Sequence, residues 1–258
     1  MKKIMRYSFV KPRVIISVPS GITEVEERAV IQATLEAGAR RVYLIEEPFA
    51  AGLGANLDIT GPNGKMVVDI GGGTTDVAVL SLNGLVVSNS LKVAGDTFDE
   101  TIVRYIRRRQ GVVVGINAAE EVKMTIGCVY PRAEEMTMSV KGRDSKTGLP
   151  KEIVISASEI FEALRRPARQ IVDEILQVLE QTPPELVSDI SENGIVLTGG
   201  GSQIYGFDQL IHERTGIRCV IADDAESCVA YGCGKSLRWI SQMQEGTINI
   251  ARRKLMKE

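Results

Sequence analysis

β-branched apolar runs at Val14-Ile15-Ile16-Ser17-Val18 and Val42-Tyr43-Leu44-Ile45 predict two buried strands, over residues 13–19 and 41–46. Between them Thr23 and Glu26 stand at T-x-x-E spacing, which predicts a capping box and a helix start. Val25, Ala29, Ala33 and Ala37 form the apolar stripe of that helix, and Gly38 ends it. Strand, helix and strand over about thirty residues make a βαβ unit with parallel strands.

The next stretch reads differently. Strands at Met66–Ile70 and Val77–Leu80 flank a glycine-rich turn, and Asn83-Gly84 signals a hairpin into a third strand, Leu85–Val93. This is a meander. A helix follows over Asp96–Arg109, with Phe98, Ile102, Val103 and Ile106 on its apolar side, and another over Ala118–Cys128. Two short strands between Met136 and Ile155 share a polar loop, Gly142–Lys151. The helix after Ser158 carries Ile160, Leu164, Ile171, Ile175 and Leu179; Pro167 should kink or split it, and Thr182-Pro183-Pro184 ends it. Ile195–Thr198 is a strand, Gly199–Gly201 a turn, and a helix opens at Ser202. A strand at Cys219–Ile221 and a small-residue helix over Ala225–Gln242 complete an α/β pattern.

Composition narrows the chemistry. The 258 residues include 31 Lys+Arg and 33 Asp+Glu, a net charge of −2 that gives no electrostatic case for nucleic acid. Hydrophobic residues at 44% and charged ones at 25% are globular values, and no apolar run reaches the length of a membrane span. The start, Met1-Lys2-Lys3-Ile4-Met5-Arg6-Tyr7, lacks the apolar core of a secretory signal. A single histidine, His212, argues against a zinc site or a His-based triad. Cys128, Cys219, Cys228 and Cys233 contain no CxxC pair and read as small core residues in a reducing cytoplasm. Catalysis would run on carboxylates, hydroxyls, backbone amides and a bound ion.

Gly71-Gly72-Gly73-Thr74-Thr75-Asp76 joins two of the predicted strands. Bare backbone there lets successive N–H groups converge on an anion such as phosphate. Thr74 and Thr75 add hydroxyl donors, and Asp69 and Asp76 set carboxylates at the rim, suited to Mg²⁺ beside phosphates. A glycine hairpin turn with two solvated aspartates fits the same residues equally well. Gly199-Gly200-Gly201-Ser202 suits close ligand approach at a helix start. No Lys follows, so it is not a Walker loop, and a tight strand–helix turn alone accounts for it. Glu46-Glu47-Pro48 closes a strand at the edge where open α/β sheets bind ligands. A carboxylate there can orient water toward a phosphate, or be a surface acidic pair. Glu120-Glu121-Val122-Lys123 lies on a helix, where Glu121 and Lys123 can hydrogen-bond a ribose, although spacing alone favours an ordinary solvated face.

In order, these pieces are more specific. Asp69–Asp76 resembles the second phosphate motif of the actin/heat-shock-chaperone/sugar-kinase superfamily, Leu197–Ser202 its adenosine motif, and Ile45–Ala51 its first connecting motif. Lys11-Pro12-Arg13-Val14, Val18–Thr23, Leu44–Pro48, Val93-Ala94-Gly95-Asp96 and Pro183–Ile190 are similar to the bacterial actin-like cell-shape family, MreB. The similarity runs from Phe9 to Leu237. It implies an actin-like ATPase fold of two lobes. Residues 1–63 with a returning helix, 225–258, make the first lobe, and 64–221 the second, with a small subdomain near 116–190. No D-x-G-T/S motif precedes Val14, so the first lobe is expected to be incomplete, with exposed sheet edges.

The resemblance further implies ATP and Mg²⁺ as ligands. Gly72, Gly73 and Thr74 would contact phosphates, Glu47 and Thr74 would place the attacking water, and Asp69 would sit near the metal through water. Glu120, Glu121 and Lys123 would lie at the ribose and adenine, and Gly199, Gly200, Gly201 and Ser202 would close over the nucleoside. The family's habits imply self-association into filaments, a cytoplasmic protein peripheral to the inner membrane through Phe9-Val10, and contact with the cell-wall elongation machinery. A non-hydrolysing scaffold stays open as an alternative. A small-molecule phosphotransferase is disfavoured by Pro183–Ile190.

Overall fold

The computed structural model describes residues 11–239; Phe9, Val10 and the end of the expected C-terminal helix lie outside them. Strands β1 (Arg13–Val18) and β2 (Arg41–Glu46) pair in parallel around helix α1 (Glu24–Glu36). The capping box is present: Glu26 N donates to Thr23 Oγ1 at 3.3 Å, and Thr23 N donates to Glu26 Oε2 at 2.9 Å. The buried side of α1 is not the expected stripe, because Val25 is 77% exposed. Val30 and Ile31 pack instead against Val18, Val42 and Leu44. Their larger side chains bury more apolar area than the alanines and set the helix rotation.

Helix α2 (Glu47–Gly54) starts directly after β2, with Pro48 in its first turn. No amphipathic period announces it, since Pro48, Ala50, Ala51, Gly52 and Leu53 are all buried. Its neighbour α8 (Cys228–Ser236) follows a short 3₁₀ turn at Ala225–Ser227, so the single helix expected from Ala225 is interrupted. The two helices touch backbone to backbone: a Cβ on Gly232 would stand 1.7 Å from Ala50 O.

The central sheet has the order β10-β9-β3-β4-β5. Strands β3 (Lys65–Ile70), β4 (Thr75–Ser81) and β5 (Gly84–Leu91) form the antiparallel meander; β9 (Ile195–Thr198) lies parallel to β3, and β10 (Cys219–Ile221) parallel to β9. Helices α3 (Gly95–Gln110) and α5 (Ala157–Gln181) cover one face, where Phe98, Ile102, Ile171 and Ile175 join Met66, Val68, Val77 and Val79 in one cluster. On the other face Val67, Ala78 and Leu80 receive Ala51, Leu53 and Ile59. Burial on both faces explains why β3 and β4 read as continuous apolar runs.

The remaining elements are β6 (Val112–Val113), α4 (Ile116–Ile126), β7 (Thr137–Asp144), β8 (Pro150–Ser156), α6 (Pro184–Asn193) and α7 (Phe207–Thr215). Strands β6, β7 and β8 form a small sheet, and the loop between β7 and β8 shortens to residues 145–149. Pro167 does not split α5, which is continuous over 25 residues behind a Ser156–Glu159 capping box. Its buried stripe of Ile160, Leu164, Ala168, Ile171 and Ile175 offsets the hydrogen bond the proline removes. No α-helix opens at Ser202: a 3₁₀ turn, Gly200–Gln203, stands there and α7 begins at Phe207. Cys128 and Cys228 are buried, Cys219 and Cys233 half-buried, and all are free thiols.

The hairpin signal at Asn83-Gly84 is offset by one residue. Ser81 pairs with Gly84, so the loop is Leu82-Asn83, with φ of 50° and 58° as a type I′ turn requires. The loop is held because Leu82 N donates to Gly61 O and Asn83 N to Ile59 O. Leu82, 68% exposed, keeps a backbone conformation disfavoured for its side chain. Leu82→Asn should therefore stabilise the fold by up to about 1 kcal/mol, read as a higher denaturant midpoint at unchanged slope. An equal or lower midpoint would mean that Leu82 sits there at no cost.

Candidate functional site

Strands β3 and β9 are parallel neighbours, with Asp69 opposite Thr198. Both therefore leave the sheet at the same edge, one into Gly71–Gly73 and the other into Gly199–Gly201. Both turns line a single cleft of about 1200 Å³. The carboxyl ends of β1 and β2 reach the same place, bringing Pro19 and Glu47 into its wall. Strand topology unites residues more than a hundred positions apart.

The first turn is clipped to the start of α3. Gly71 N donates to Thr74 O at 2.9 Å, Gly95 N to Gly71 O at 3.1 Å, and Asp96 N to Gly72 O at 2.8 Å. Gly72 and Gly73 remain exposed and Thr74 half-buried. In the second turn Gly199 has φ 79° and ψ 156°, and its N donates to Ala225 O at 2.8 Å. Ser202 does not line the cleft; it is fully buried, and its Oγ donates to Gly199 O at 2.7 Å, holding the turn from behind. The helix N-terminus expected at Ser202, with its partial positive charge, is replaced by the 3₁₀ turn.

Carboxylates crowd the other end. Asp69 is 5% exposed, and Thr198 Oγ1 donates to its Oδ1 at 2.8 Å. Burial raises Asp69 to about 6, against the Thr198 hydrogen bond and with help from Asp76. Asp76 is fully buried; its Oδ1 accepts from Ser20 N at 2.9 Å, while Oδ2 has no partner among the described residues. Burial raises Asp76 as well, against the hydrogen bond from Ser20. Glu47 rises to about 7 through burial first, then Asp76 and Asp69. Glu46, also buried, accepts from Ser20 Oγ at 3.2 Å. Such a cluster favours a proton or a cation.

The third wall is α4, which contributes Glu120 and Lys123. Glu121 is exposed and does not line the cleft. Lys123 Nζ forms an ion pair of 2.8 Å with Asp99 Oδ2, their side chains only 12% and 6% exposed, and also donates to Gly95 O at 3.4 Å. Burial still leaves the Asp99 carboxyl above its usual range, despite Lys123. Asp99 was not foreseen, although a signal exists: it shares a helix face with Ile102 and Ile106, an apolar setting in which a carboxylate needs a partner. Arg132 and Tyr205 line the cleft too, and no motif points to them. His212 is exposed on α7, its Nδ1 3.1 Å from Ile217 O, away from the cleft lining.

A family-wide profile described as MreB/Mbl protein matches residues 1–245. The chain belongs to the MreB/Mbl family. The cell shape-determining protein MreB of Escherichia coli K12 is 49% identical over 242 residues, 93% of this chain and 70% of that protein. The cell shape-determining protein Mbl of Bacillus subtilis 168 is 44% identical over 229 residues, 89% and 69% of the two chains. Among solved structures, MreB5 of Spiroplasma citri bound to ADP superposes with a TM-score of 0.88 at 39% identity, covering 93% of this chain and 73% of that one. The MamK double helical filament, at 23% identity and a TM-score of 0.77, covers 94% of this chain and 73% of that one and bears on the fold alone. The actin-like α/β fold expected of an MreB/Mbl chain is thus present. No helix among the described residues is long and apolar enough to cross a membrane.

Proposed function

We propose that this chain binds ATP with Mg²⁺ in the cleft, hydrolyses it, and forms nucleotide-dependent filaments that serve rod cell-shape determination. The observation that carries the reading is that two glycine turns and the carboxylates of Glu47 and Asp69 line one cleft. The relatives support it: two are named cell shape-determining proteins, and MreB5 of Spiroplasma citri has been solved with ADP and with AMPPNP. In this reading the cleft lies between two lobes, one built on β1 and β2 and one on the central sheet, divided near residue 63.

The amides of Gly72 and Gly73 and the Thr74 hydroxyl hold the phosphates and stabilise charge as it moves to the leaving oxygen. Glu47 accepts a proton from the water whose oxygen attacks the γ-phosphorus, while the bond to the ADP oxygen breaks. Glu120 and Lys123 receive the ribose, with Lys123 held by Asp99. Gly199–Gly201 pass close to the nucleoside. Among the described residues no three His, Cys, Asp or Glu side chains are grouped to hold a metal alone. Asp69, which lines the cleft, nevertheless fits a hard cation bound mainly through phosphate and water. Mg²⁺, when bound, neutralises phosphate oxygens and polarises the γ-phosphoryl group.

In this reading the filament lies at the cytoplasmic face of the inner membrane, in contact with the wall-elongation machinery. Phe9 and Val10, the expected membrane contact, lie outside the described residues. Sedimentation tests assembly: the pelleted fraction should depend on added Mg·ATP. An equal pellet with and without nucleotide would contradict nucleotide-dependent filaments.

A further inference from the structure

The helix that presents Glu47 has little in its own sequence to hold it. Helix α2 has eight residues, two of them the poor helix formers Gly52 and Gly54. Helices shorter than about 12 residues do not persist in water unaided. No basic residue stands in its last turn and no side chain caps its start, although β2 runs straight into it. The missing support comes from α8. Lys235 Nζ donates to Leu53 O at 2.6 Å, to Gly54 O at 3.3 Å and to Asn56 Oδ1 at 2.6 Å. A cation thus sits on the negative end of the helix dipole and takes up its terminal carbonyls. All the N–H groups of the ammonium are used in this one cap.

The clamp continues along the helix. A Cβ on Gly54 would stand 1.8 Å from Cys228 O, so α2 and α8 touch there, too, with no side chain between them. Cys233, two residues before Lys235, serves the other end of α2. Burial, opposed by a hydrogen bond with Ser17 and aided by the Glu47 charge, raises its thiol. The groups facing Glu47 are therefore Asp76 on β4, Asp69 on β3 and the Cys233 thiol on α8. The eight residues of α2 span about 12 Å, beyond the roughly 10 Å over which an exposed charge acts at ordinary salt. Lys235 reaches Glu47 through the helix rather than through its field.

We propose that Lys235 is a positioning residue for Glu47: by capping α2 from α8 it fixes the helix that aims the carboxylate at the attacking water. This rests on the hydrolysis reading above. The test compares steady-state ATP hydrolysis by the full chain with that of Lys235→Met, Lys235→Arg and Glu47→Gln, each shown by denaturation to be folded at the assay temperature. Lys235→Met keeps a similar length but loses the charge and the donors. It should lower kcat about tenfold or more and leave KM for ATP unchanged. Its loosened helix admits water to Glu47, so the limb of kcat/KM at about 7 should move to lower pH. Loss of a positive charge acting directly would move that limb the other way. Lys235→Arg, which keeps charge and donors, should retain most of kcat. In Lys235→Met, a lower denaturation midpoint with kcat and the limb unchanged, or a limb shifted upward, would overturn the positioning role and leave the hydrolysis reading standing. Undiminished hydrolysis by Glu47→Gln, or none by the unmodified chain, would overturn both.

Discussion

Glu47→Gln should slow ATP hydrolysis by at least about a hundredfold with little change in nucleotide affinity. The amide keeps the size and hydrogen-bonding reach of the carboxylate but cannot take a proton from water. Glu47 suits the task because burial beside Asp76 and Asp69 lifts it to about 7. A base at that value is strong enough to accept a proton and is substantially ionised at neutral pH. The same lift fixes the sign of the pH dependence. Below about 7 the free protein holds Glu47 protonated and inactive; above it the carboxylate is available. The profile of kcat/KM for ATP should therefore rise with pH through about 7 and flatten above it. In Glu47→Gln that limb should vanish with the rate. A variant that hydrolyses ATP at the original rate would remove Glu47 from the chemistry.

Gly199→Ala should cost stability on the order of 3 kcal/mol and abolish nucleotide binding. Two independent causes act at this position. The backbone, at φ 79° and ψ 156°, lies in a region open to glycine alone. An added Cβ would also stand 2.3 Å from Ile70 O, and that carbonyl belongs to β3 in the middle of the sheet. The strand cannot yield without moving Asp69 and the first glycine turn. Gly200→Ala supplies the contrast: its Cβ would meet nothing nearer than Glu226 Cγ at 4.0 Å. Chemical denaturation should separate the neighbours, with Gly200→Ala within about 0.5 kcal/mol of the parent. Equal effects from both substitutions would mean that the triplet matters only as flexible chain.

Much of this was legible in the chain because the signals were local. The Thr23–Glu26 capping box, the apolar strands and the turn residues depend on neighbours a few positions apart. The central sheet was legible strand by strand, since burial on both faces leaves Met66–Ile70 and Val77–Leu80 unbroken. Helix α2 was not, because a short segment buried nearly all round has no period to read. The rotation of α1 was missed for the opposite reason: alanines at tidy spacing outlined a stripe that Val30 and Ile31 overrule by size. At the site, each glycine turn was visible by itself, whereas their meeting on one nucleotide was expected only through the family resemblance, since it follows from β9 entering beside β3. Ser202 was visible as part of a motif, yet its hydroxyl is spent on Gly199 O. Asp99, Arg132 and Tyr205 act through partners distant in sequence, and no spacing rule connects them.

A crystal structure of the full chain with AMPPNP and Mg²⁺ tests the central claim most directly. The nucleotide should lie between the two turns, its phosphates against Gly72–Thr74 with the terminal one toward Glu47, and its nucleoside against Gly199–Gly201. A nucleotide bound elsewhere, or one that only one of the two turns approaches, would contradict it.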